Sequence, residues 1–127
     1  MLRLMSSEIT GEQTPEIAEP RIATFREFWP FYVGEHVKPI TRTLHFIGST
    51  LVLAIVATAV VTGRPWLLAA TPLAGYGFAW VGHFVFEKNK PASFKYPAWS
   101  FLADWVMYGK ILSGTMRAEV ERVLAKK

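Results

Sequence analysis

LHFIGSTLVLAIVATAVVT, residues 44–62, holds no formally charged side chain, and WLLAATPLAGYGFAWVGHFVFE, residues 66–87, meets one only at its last position, Glu87. Each stretch is long enough to cross a bilayer as a helix. Only Gly63, Arg64 and Pro65 separate them, so the two helices are expected to run antiparallel as a hairpin. Counting outward from that hinge places His45 and His83 at nearly the same distance, on the order of 28 Å at 1.5 Å per residue. Their imidazoles are therefore expected at one depth, at the end of the hairpin away from the hinge.

The 127 residues fit one domain, and 51% are apolar. The average hides the distribution: polar residues crowd the first and last forty positions and leave the middle almost free of charge. That patterning predicts an all-α, integral membrane fold, an antiparallel hairpin of two spans (about 44–62 and 66–87) with flanking amphipathic or interfacial helices. A soluble core of this size would struggle to cover two such helices on every side. The net charge of +4 comes from 14 basic and 10 acidic residues, and the basic ones bracket apolar segments instead of forming a stripe, which argues against a nucleic-acid partner. With no cysteine, disulfides, thiolate catalysis and Cys-ligated metal sites are excluded.

Three regions follow: a flexible acidic tail over 1–20, a membrane-embedded helical domain over 21–114, and a soluble helical tail over 115–127. Thr24 and Glu27 have capping-box spacing ahead of an aromatic helix, which Pro30 and Gly34 keep short. Pro39 is expected to break the connection 35–45, leaving Thr41 to cap the first span and letting His36 fold back towards His45. In the second span, Gly75, Ala79 and Gly82 form a small-residue face suited to another helix, and through it the chain is a candidate homo-oligomer. Tyr76, Trp80, His83 and Glu87 share the neighbouring stripe. Pro97 opens a third helix to about Leu112; its Asp104 and Lys110 suit an interfacial or re-entrant position over the mouth of the hairpin. Lys38, Arg42, Lys88, Lys90 and Lys95 lie at that mouth and Arg64 alone at the hinge. The positive-inside rule then puts both termini in the cytosol, in an inner or cytoplasmic membrane.

The chain's three histidines, His36, His45 and His83, fall at the same predicted end. Three neutral imidazoles suit Fe(II), Zn(II) or another borderline ion, with Glu87 as a fourth ligand or an orienting partner of His83, and Glu35 as a weaker candidate. Lys38, Arg42 and Lys88 are candidates to steer a substrate carboxylate, and Trp80 to line the substrate site. Asp104 is read as capping a polar network or pairing with Lys110 or an arginine. Aromatics of the first and third helices, together with the hairpin, suggest a groove for a long acyl chain. Two other classes fit the same residues: a haem-binding membrane protein with His45 and His83 as axial ligands, and a non-enzymatic small membrane scaffold or subunit.

At EHVKPITRTLHFIG (35–48) and GYGFAWVGHFVFEKNKPASF (75–94) the chain resembles a family of small membrane proteins, long filed as a domain of unknown function, whose fungal member is the Fe(II)-dependent 2-hydroxy fatty acid dioxygenase of sphingoid-base degradation. The resemblance covers about residues 25–114. It implies an iron oxygenase that shortens a fatty acyl chain by one carbon, with Fe2+ as cofactor, His36, His45 and His83 as iron ligands, and a lipid or fatty acid as substrate. The fungal enzymes carry a further hydrophobic stretch and a further histidine between the two motifs, where this chain has the three-residue hinge.

Overall fold

The computed structural model of the protein describes residues 21–126, which are helical with no strand among the described residues. The acidic tail expected over 1–20 lies outside them. Among the described residues five α-helices succeed one another: α1 Phe25–Gly34, α2 Pro39–Thr62, α3 Thr71–Val81, α4 Pro97–Leu112 and α5 Met116–Ala125. A 3-10 segment, Pro65–Ala70, leads into α3, and a π-helix, Gly82–Glu87, continues it.

α2 starts earlier than the charge-free stretch. Pro39 occupies its first turn, where a missing N–H costs nothing, so Thr41 lies inside the helix and does not cap it. The Thr41 hydroxyl is buried without a hydrogen-bond partner among the described residues. The start is held from a distance instead: the Glu87 carboxylate accepts the backbone N–H of Lys38. At the other end Gly63 takes a left-handed conformation (φ 66°), and Arg64 N–H returns to the Ala59 carbonyl, which closes the helix and turns the chain.

α2 is the one helix among the described residues long and apolar enough to cross a membrane, and only 17% of its most apolar window is buried inside the protein. The second expected span is not a single α-helix. Pro65 opens a 3-10 segment, Pro72 sits in the first turn of α3, and the winding widens to π at Gly82, so the helical run 65–87 has three geometries in series. This run packs antiparallel on α2. A Cβ on Gly48 would meet the Ala74 carbonyl oxygen at 2.8 Å, one on Gly82 would meet Thr41 Cγ2 at 3.0 Å, and one on Gly75 would meet Val52 Cγ2 at 3.4 Å. The small-residue face expected to dock another chain is thus engaged inside this one, because close backbone approach is what lets the hairpin shut.

Beyond the hairpin mouth, α1, α4 and α5 form a second layer. Phe28, Trp29, Tyr32 and Val33 of α1 are buried against Ala103 and Met107 of α4 and against Met116, Val120 and Val123 of α5. Thr24 caps α1 as its spacing predicts, accepting from Glu27 N–H. α5 is amphipathic and is docked, not trailing: its apolar face lies in this core, and Trp29 Nε1–H donates to Glu119 Oε1 at 2.8 Å.

Candidate metal centre

The two layers meet at three histidines. His36 follows α1, His45 lies in the second turn of α2 and His83 begins the π-helix; all three are buried, with exposures of 1%, 7% and 1%. His36 Nε2 stands 3.1 Å from His45 Nε2, which stands 3.2 Å from His83 Nε2. The three ligating nitrogens lie within 4.8 Å of one another, and the ring centroids are 4.5, 4.5 and 5.2 Å apart. The expectation that the hairpin levels His45 with His83, and that the break near Pro39 folds His36 back, is met by these distances.

The far sides of two of the rings, His36 and His83, fix their protons. His36 Nδ1–H donates to the Tyr32 carbonyl at 2.7 Å, and the ring stacks on Tyr32 at 4.1 Å between centroids. His83 Nδ1–H donates to Asn89 Oδ1 at 2.7 Å. The amide of Asn89 has only one workable orientation, since its Nδ2 donates to the Glu35 carbonyl at 3.1 Å and to Glu35 Oε2 at 2.6 Å. His45 Nδ1 faces Asp104 Oδ1 at 3.7 Å. With their Nδ1 protons committed, His36 and His83 each turn a bare Nε2 lone pair towards His45 Nε2, which could offer a proton to only one of them. Burial and the neighbouring rings His45 and His83 hold His36 well below the usual histidine range, so an imidazolium does not resolve the conflict. A cation does. Nitrogens 3.1 and 3.2 Å apart have the separations that ligands of one ion at about 2 Å would show, so the residues fit a metal.

A model of the family described as 2-hydroxy-palmitic acid dioxygenase, Mpo1-like, matches residues 22–116. The chain belongs to this family. No curated protein and no solved structure matches it. The matched span includes all three histidines, both helices of the hairpin and all of α4, and it ends where α5 begins. The family description supports a dioxygenase of lipid metabolism, and a cluster of three buried histidines is compatible with a metal cofactor.

Other expected site residues fall elsewhere. Glu87 is not grouped with the three histidines: its carboxylate accepts the Lys38 N–H at the start of α2. Lys38 Nζ donates to the Phe86 carbonyl at 2.8 Å, and Arg42 donates to the carbonyls of His36 at 2.9 Å and Val37 at 2.7 Å. Both therefore brace the chain around His36 and the start of α2. Lys88 is exposed, in a left-handed conformation that ends the π-helix. Trp80 does line the cavity beside the histidines, a space of about 280 Å³. Of the roles expected of Asp104, the structure has the polar network and not a pair with Lys110 or an arginine: it lines that cavity, accepts the Tyr32 hydroxyl at 2.5 Å and faces His45, and burial pushes its carboxyl up to about 6 despite the Tyr32 bond. Lys110 lies 3.5 Å from Glu119 instead. Asn89 is the residue sequence reasoning missed. Its signal was its place inside the stretch 75–94 that carries the resemblance, two positions after Glu87, and it reaches His83 because Lys88 reverses the chain and Asn89 N–H returns to the His83 carbonyl at 3.0 Å.

Proposed function

We propose that the protein is a membrane-bound, Fe(II)-dependent dioxygenase that shortens a 2-hydroxy fatty acid by one carbon. The observation that carries this reading is the trio of Nε2 atoms, with those of His36 and His83 at 3.1 and 3.2 Å from that of His45 and their Nδ1 nitrogens hydrogen-bonded outward to fixed acceptors. Ferrous iron held there would supply oxygen activation and an anchor for the hydroxyl and carboxylate of the substrate. The chain's own part is positional. Tyr32 and Asn89 hold the tautomers of His36 and His83, and α4 closes the cavity with Asp104 and Trp105.

Only three protein ligands leave open positions for substrate and oxygen, the pattern of catalytic rather than structural sites. The 3.2 Å between His45 and His83 is shorter than the about 4 Å that axial imidazoles on opposite faces of a haem iron would keep, which disfavours the haem alternative. A scaffold would have no need of three crowded lone pairs.

In this reading the exposed α2 and the helical run 65–87 cross the bilayer together, with both termini in the cytosol of a cell whose inner or cytoplasmic membrane holds the hairpin. Large apolar side chains at the hinge end, Val60, Val61, Trp66 and Leu73, are 66–84% exposed, a surface that lipid covers at no cost.

Anaerobic titration of the purified chain with Fe(II) is expected to reach about one iron per chain, with His83→Ala abolishing binding. Oxygen uptake is expected on adding 2-hydroxy fatty acids and not their unsubstituted analogues. No uptake of iron, or uptake unchanged in His83→Ala, would remove the proposal.

A further inference from the structure

The cavity beside the histidines does not stop at them. On α2 it follows His45, Ser49 and Val52, one helical face, and on the opposing run it follows His83, Ala79, Gly75 and Pro72 to Thr71. Twelve residues separate His83 from Thr71, so the slot extends roughly 18 Å along the hairpin towards the hinge. The histidines and Asp104 stand at one end and Val52, Pro72 and Thr71, whose hydroxyl is already spent on the Leu68 carbonyl at 2.7 Å, at the other, with Ser49 and Tyr76 between. Past that end the 3-10 segment packs on α2, and Ala59 is buried. A second apolar groove, lined by Leu51, Leu73, Phe78 and Val81, lies on the other side of the hairpin and includes none of the histidines.

We propose that this seam between α2 and α3 is a ruler for the alkyl chain: the substrate's polar end sits at the histidines and its terminal methyl comes to rest against Val52, Thr71 and Pro72. The proposal rests on the reading of the centre as a 2-hydroxy fatty acid site and adds where the tail goes and what limits its length. Gly75 and Val52 both line the slot, and a Cβ on Gly75 would touch Val52 Cγ2 at 3.4 Å, so a longer side chain there would take up space in it.

The test uses the full chain in nanodiscs, without iron, and 2-hydroxyhexadecanoic acid carrying a diazirine at its terminal carbon. Photolysis is expected to label Val52, Thr71, Pro72 or Gly75, with label lost on adding unlabelled acid. Label confined to Leu51, Leu73, Phe78 and Val81 would place the tail in the outer groove and overturn the proposal. Gly75→Leu is expected to weaken binding of the hexadecanoic acid about tenfold or more while leaving 2-hydroxyoctanoic acid bound as in the wild type, and Val52→Ala to extend the accepted length. Equal effects of Gly75→Leu on long and short acids, with no shift in Val52→Ala, would also overturn it. Seam labelling without oxygen uptake by the iron-loaded chain would sink the dioxygenase reading and keep the ruler; uptake with label in the outer groove would do the reverse.

Discussion

A histidine becomes a ligand through what holds its other nitrogen, and here that duty falls on residues of little distinction in the sequence. Asn89 accepts the His83 Nδ1 proton while Glu35 fixes the amide, so Asn89→Ala frees the ring to rotate or change tautomer. Iron affinity is expected to fall about 10–100-fold in that variant with the helical content unchanged, measured by anaerobic titration and circular dichroism. A second residue-scale prediction concerns Glu119. Burial alone would raise its carboxyl, but the Trp29 hydrogen bond, Arg122 and Lys110 outweigh it and hold it below 4.5. Because the folded value is depressed, the stabilisation is fully present above pH 4.5 and disappears as the pH falls through the folded value. Glu119→Gln, which keeps an acceptor for Trp29 and loses only the solvent-screened attraction of Arg122 and Lys110, is expected to cost up to about 1 kcal/mol near neutral pH. Thermal melts of the two proteins should converge in acid, with Trp29 fluorescence reporting the release of α5; a gap that persists in acid would contradict the assignment.

At the scale of the element, the hairpin shuts because three glycines let backbones approach. Gly82→Ala would put a Cβ 3.0 Å from Thr41 Cγ2 and 3.3 Å from Thr41 Cα, and the latter is backbone that cannot swing aside. A loss of about 1–3 kcal/mol is expected, accompanied by weaker iron binding, since Thr41 lies one turn before His45 and Gly82 adjoins His83. Gly109→Ala is the control. Nothing lies within 4 Å of its added Cβ on α4, so relief of the glycine entropy cost should leave stability unchanged or raise it by up to about 1 kcal/mol. Differential scanning calorimetry of both variants decides between packing and helix propensity. The π-helix belongs to this scale too. It carries His83 to the other histidines and Glu87 to the start of α2, so one irregular stretch serves both the centre and the helix start.

For the whole molecule, the two layers divide the work: an apolar hairpin exposed along most of its length and an aromatic cap of α1, α4 and α5 around a buried core. The chain is expected to stay in the membrane pellet after alkaline carbonate extraction, and cysteines placed at Arg64 and Lys90 should react with an impermeant maleimide from opposite sides. Release into the supernatant would contradict the membrane reading. Much of this was legible beforehand. The absence of charge over 44–62 and the three-residue hinge determined an antiparallel pair with His45 level with His83, because helix rise is constant and counting residues measures depth. Pro39 and the spacing of Thr24 with Glu27 likewise act within a turn or two, where local chemistry decides. What only the tertiary structure decided was which side chains meet across elements: Asn89 on His83, Asp104 with Tyr32, Glu87 at the start of α2, the small-residue face closed inside the chain. Those outcomes turn on how the helices pack around the mouth of the hairpin, which is set by the sum of many packing contacts that no single stretch of sequence contains.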